Sequence, residues 1–162
     1  MTSIVRTKRN PAKAILFAWL LAATLDILAA STDYYIQSGK GPQGVLKFIA
    51  SGIFGEAAFS GGSEMIWLGL LFHYIIVLVF TLFFYLLYSR LTFLHKSIFL
   101  TAVLYAIFTW SIMTLIVVPL SNTPKFAFSA VKAIKNIVIL IFTIGLPLSI
   151  IIKNFFNKQT QL

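Results

Sequence analysis

Four long apolar runs divide the 162-residue chain: Ala14 to Ala30, Met65 to Tyr88, Ser97 to Val118 and Ile134 to Ile152. Hydrocarbon supplies no hydrogen-bond partners, so a segment crossing it must satisfy its own N–H and C=O groups, and runs of this kind have to be helices. The second run has 24 residues and reaches ~36 Å, enough to cross a bilayer core with some tilt. Tyr34 and Tyr35 extend the first run as interface anchors, which places the spans at about 14–33, 65–88, 97–118 and 134–152. Pro119 closes the third span, and Gly145 with Pro147 predicts a kink in the fourth. The expected fold is an all-α membrane protein, one four-helix domain over residues 1–162, with a short helix between the first and second spans.

Only 10% of the residues are charged, against about 25% in soluble domains. The net charge of +9 would suggest nucleic acid in a soluble protein. Here the basic residues flank apolar runs, so membrane lipids are the implied partner and nucleic acid is not. The chain has no cysteine, which excludes disulfides, thiolate metal sites and thiol catalysis. A basic start and the small pair Ala29-Ala30 allow a signal-peptide reading of the first run; the length of the run and Asp26 within it argue for a retained helix. Basic residues near the span ends number eight on one side (Arg6, Lys8, Arg9, Lys13, Arg90, Lys96, Lys153, Lys158) and five on the other (Lys40, Lys47, Lys125, Lys132, Lys135). Positive-inside counting therefore puts both termini in the cytoplasm, and Asp33, Glu56 and Glu64 fall outside.

The 34 residues from Ser31 to Glu64 hold seven of the nine glycines. A structureless loop that long is unusual in a compact protein. Val45, Ile49, Gly52, Ile53 and Glu56 share one helical face, so residues 44–59 read as a short helix, interfacial or re-entrant. It is either a lid over the outer ends of the spans or part of a vestibule, with Gly52 and Gly55 in the segment and Gly61-Gly62 as the joint into the second span.

Asp26 is the residue that most needs an explanation. It lies on a stripe of small residues, Ala14, Ala18, Ala22 and Ala30, at four-residue spacing along one side of the first helix. A carboxylate in hydrocarbon costs roughly 2.5–3.5 kcal/mol, so it must face protein or water, and small residues at that spacing let helices approach closely. His73 lies eight residues into the second span, with Gly69 one turn earlier making room for another helix. Asp26, His73 and Glu56 together form an expected cluster in the outer half of the bundle, able to relay protons or hold a cation. The simpler alternative is that Asp26 and His73 only tie helices together. One histidine with carboxylates is a poor transition-metal site, and no motif implies a cofactor. Lys132 and Lys135, just before the fourth span, suit a lipid phosphate or simple snorkelling.

The stretch Ala50-Ser-Gly-Ile-Phe-Gly-Glu-Ala-Ala-Phe-Ser-Gly-Gly62, with Trp67-Leu-Gly-Leu-Leu-Phe-His73 and Val117-Val-Pro-Leu-Ser121, resembles the YagU-type family of small bacterial inner-membrane proteins of unknown function. The resemblance covers about the middle half of the chain. It implies a four-helix inner-membrane protein with Gly55, Gly61, Gly62, Gly69, His73 and Pro119 at family positions, and it brings no activity with it. Three functions remain open: a non-catalytic accessory protein that binds lipid or a membrane partner; a proton or cation transporter, which at this size implies a homo-oligomer; and a lipid-active enzyme that uses Glu56 or His73.

Overall fold

The computed structural model describes residues 10–125 and 127–160, with side chains to Asn157. Arg6, Lys8 and Arg9, counted above toward orientation, lie outside the described residues, as does the side chain of Lys158. Among the described residues four helices are long and apolar enough to cross a membrane. The first is α1 (Pro11–Ser38). It is followed by α2 (Gln43–Phe54), the single turn α3 (Ala57–Ser60) and the second span α4 (Ser63–Arg90). The third span, Ile98–Leu120, consists of α5 (Ile98–Ile112), a π-helical turn (Met113–Val117) and α6 (Val118–Leu120). The fourth consists of α7 (Ala130–Leu140), a π-helical turn (Ile141–Gly145) and α8 (Leu146–Thr160).

Local chemistry accounts for the ends. Asn10 caps α1 by accepting from the Ala12 N–H at 2.9 Å, Pro11 occupies the first turn, and Gly39 ends the helix at φ 67°. Ser97 and Ser129 cap the third and fourth spans in the same way. The two π-helical turns share one cause. Each ends two residues before a proline, Pro119 or Pro147. Proline has no N–H and its ring crowds the carbonyl four residues back, so the helix widens by one residue just ahead of it. Pro119 therefore lies within the last turn of the third span rather than beyond its end, and the expected irregularity in the fourth span takes the form of a widened turn.

The bundle is antiparallel, with a core in which Phe84, Tyr105, Leu148 and Ile152 are buried beside small residues and hydroxyls, and with many large apolar side chains facing outward. Ala18, Ala22 and Ala23 are fully buried, while Phe17, Val79, Leu115 and Phe142 are exposed to the surroundings of the bundle. Apolar side chains face outward where the solvent is lipid, and small buried residues let helices approach closely. α1 packs against α4 on one side and α8 on the other, and the third span packs against the fourth. Between the third and fourth spans, Gly145 meets the Ala102 backbone so closely that any β-carbon would overlap its carbonyl. α4 and α5 are joined differently, through aromatic side chains: Phe84 on Tyr105 at 4.7 Å and Phe83 on Phe108 at 5.2 Å.

The helix expected over residues 44–59 is broken in two. α2 ends at Phe54 because Gly55 turns left-handed, with φ 58°. Asn122 seals the break, donating its backbone N–H to Gly52 O at 3.1 Å and its side-chain amide to Ile53 O at 3.0 Å. Lys47 reaches across from α2 and donates to Phe59 O and Gly61 O, satisfying the free carbonyls at the end of α3. α2 lies flat along α4, where Gly69 touches the Leu46 backbone with no room for a side chain. Gly69→Ala should therefore lower stability by ~1–3 kcal/mol, read as a fall in the melting temperature of detergent-purified protein. Gly52→Ala, whose nearest neighbours would be 3.9 Å away, should be neutral or slightly stabilising, because helices favour alanine over glycine by up to ~1 kcal/mol.

Candidate functional site

Three hydrogen bonds lock α1 to α4 at mid-length. The Trp19 indole donates to Tyr74 O at 2.7 Å, Thr24 Oγ1 and the Tyr74 hydroxyl meet at 2.9 Å, and His73 Nε2 lies 2.9 Å from Ala23 O. A carbonyl only accepts, so His73 carries a hydrogen on Nε2 and leaves Nδ1 as its variable position. Ala23 is buried and has only a methyl side chain, which lets the imidazole reach the helix backbone.

One turn further along α1, Asp26 Oδ1 accepts from Thr143 Oγ1 at 2.9 Å. Thr143 belongs to the π-helical turn of the fourth span. Because α1 continues to Ser38, Asp26 lies ~18 Å from its C-terminal end, farther from the helix end than the apolar run implies and still in the outer half of α1. His73 lies ~15 Å from the start of α4, so both groups stand near the middle of their helices.

Asp26 and His73 line one cavity of ≈ 170 Å³, whose other walls are mostly apolar, including Phe48, Phe80 and Ile144. Its far wall carries the Ser121 and Thr123 hydroxyls, 2.8 Å apart. Asp26 also lines a second cavity of ≈ 420 Å³, with Asp33, Gln37, Thr114 and Asn136 around it. This vestibule lies toward the C-terminal end of α1 and the start of the fourth span. Asp26 is thus the polar residue common to a vestibule of mixed lining and a largely apolar chamber. Residues of a single chain line both spaces.

The remaining expected residues fall elsewhere. Glu56 is exposed at the α2–α3 corner and lines neither cavity, and among the described residues no three acids and histidines converge. The expected Asp–His–Glu trio is therefore an Asp–His pair, because Gly55 ends the helix that was to carry Glu56 inward. Gly61 and Gly62 form the corner into α4, where Glu64 accepts from the Gly62 N–H at 2.7 Å. Lys132 is exposed. Lys135 donates its ammonium to both oxygens of Asp33 at 2.7 Å, and Gln37 donates to the same carboxylate at 2.6 Å. This ion pair bridges the first and fourth spans at the rim of the vestibule.

Thr143 and Met113 were not singled out from the sequence, and Asp33 entered there only as an acid on the outer side. Met113 opens the π-helical turn of the third span and lines both cavities. The six-residue spacing from Met113 to Pro119 and the four-residue spacing from Thr143 to Pro147 were the available signals, since π-turns ahead of prolines gather at functional positions.

Fold and site together define a four-span membrane protein with a polar pair facing an internal cavity. Compared with known proteins, the chain matches no family model, no curated protein and no solved structure. The absence of native cysteine makes accessibility easy to measure. In bilayers, Asn136→Cys on the vestibule wall should react with a membrane-impermeant maleimide, while Ile144→Cys, 2% exposed, should react at least ~tenfold more slowly.

Proposed function

We propose that this chain is a small inner-membrane protein that moves or binds protons or small cations through Asp26, with His73 beside it and both termini in the cytoplasm. The observation that carries the proposal is the position of Asp26, which lines both the vestibule and the inner chamber. A carboxylate near mid-helix costs several kcal/mol unless it is protonated, paired or wetted. Thr143 supplies one neutral donor, which offsets only part of that cost. Among the described residues no Lys or Arg forms an ion pair with Asp26, and the adjacent cavity offers space where a proton or cation would stand. Membership of the YagU-type family is part of this proposal, carried by the Gly55 to Gly62 corner, Gly69, His73 and Pro119.

A second reading, a non-catalytic accessory or lipid-binding protein, is favoured by one observation. His73 Nε2 and Asp26 Oδ1 both already bind another helix, which is how purely architectural polar residues behave in membranes. Flux separates the two. Proteoliposomes under an imposed pH gradient should pass protons or a monovalent cation, and Asp26→Asn should reduce the flux at least ~tenfold while leaving the melting temperature within a few degrees. Asparagine keeps an acceptor for Thr143, so the loss would report the charge and not the fold. Well-folded wild-type protein that passes nothing across several cations would leave the accessory reading in place.

A further inference from the structure

A third cavity lies on the outer face of the bundle, between α4 and the third span. It measures ≈ 450 Å³ and every side chain lining it is apolar, among them Ile75, Val79 and Phe83. It exists because aromatic rings, not glycines, join these two helices and hold their backbones apart. Ile76, Phe80, Met113 and Val117 line both this groove and the chamber that holds Asp26. Four apolar side chains are therefore the partition between a lipid-facing groove and an internal carboxylate. Met113 borders all three cavities and sits on the irregular turn, and an unbranched thioether is the side chain best able to swing aside.

We propose that the site takes hydrophobic organic cations, single-chain alkylammonium amphiphiles, which enter from the bilayer past Met113, lay the chain in the groove and pair the ammonium with Asp26. The proposal rests on Asp26 being the cation site of the preceding subsection, and it adds the ligand class and the route. Charge complementarity selects this occupant. Tails gain little by leaving lipid for an apolar groove, so discrimination must come from the head, and Asp26 is the acidic side chain of the chamber. The chamber alone is below the roughly 300–1,000 Å³ of drug-sized sites, so it accommodates a head while the groove accommodates a tail. A two-chain phospholipid does not fit that division, and an anionic head would face Asp26 unfavourably.

The test is equilibrium binding of radiolabelled dodecyltrimethylammonium to the full chain in nanodiscs of uncharged lipid. Saturable binding at one site per chain is expected, displaced by unlabelled cation and not by dodecanol or dodecyl sulfate, which share the tail but not the charge. Asp26→Asn should weaken binding at least ~tenfold. Val79→Trp, at an exposed position that fills the groove from outside, should weaken it several-fold. Equal displacement by dodecanol, or unchanged affinity in Asp26→Asn, would overturn the proposal. The displacement series uses wild-type protein and does not depend on any variant folding. Proton flux without saturable cation binding would refute this ligand class and leave the transport reading standing; binding without flux would do the reverse.

Discussion

A carboxylate at mid-helix imposes its needs on every neighbouring segment. Asp26 cannot face lipid without a cost of several kcal/mol, so α1 must turn its alanine stripe and Asp26 toward protein. The fourth span then meets α1 closely enough for Thr143 to donate to the carboxylate, and that contact occurs at a widened turn created by a proline. On the other side, α4 approaches closely enough for the His73 imidazole to reach the Ala23 carbonyl. The contacts of α1 with α4 and with the fourth span thus surround the carboxylate with protein.

The same bundle uses two kinds of helix contact, and their difference creates the cavities. Where glycine is available, as at Gly69 against Leu46 and Gly145 against Ala102, the backbones touch and no space is left. Where Phe84, Tyr105, Phe83 and Phe108 mediate, the helices stand apart, and the chamber and groove occupy the gap. The Asp33–Lys135 pair adds a tie between the first and fourth spans at the vestibule rim, where water makes an ion pair tolerable.

Several parts of this arrangement were legible in the residues. Apolar runs bounded by charge set the number of spans, because hydrocarbon leaves the backbone no alternative to the helix. The four-residue spacing of Ala18, Ala22 and Asp26 identified the inward face of α1. The distance of Asp26 from the helix end was less legible: Tyr34 and Tyr35 read as interface anchors at the end of the first span, yet α1 continues to the Gly39 cap. Glu56 was misplaced for a related reason. Periodicity extends a helix through any residue that fits the face, whereas the left-handed Gly55 that ends α2 is stabilised by Asn122, nearly seventy residues away.

By itself, the sequence determined that this is a helical membrane protein, where its spans lie, and that Asp26 and His73 would point inward, because these follow from the local cost of exposing backbone and charge to lipid. Only the tertiary structure decided what those groups meet. Thr143 for Asp26, the Ala23 carbonyl for His73, Asp33 for Lys135, and Met113 at the junction of three cavities all depend on how helices separated by tens of residues are rotated against one another. That rotation is set by glycine contacts and aromatic spacers acting across helices. No local spacing along the chain records it.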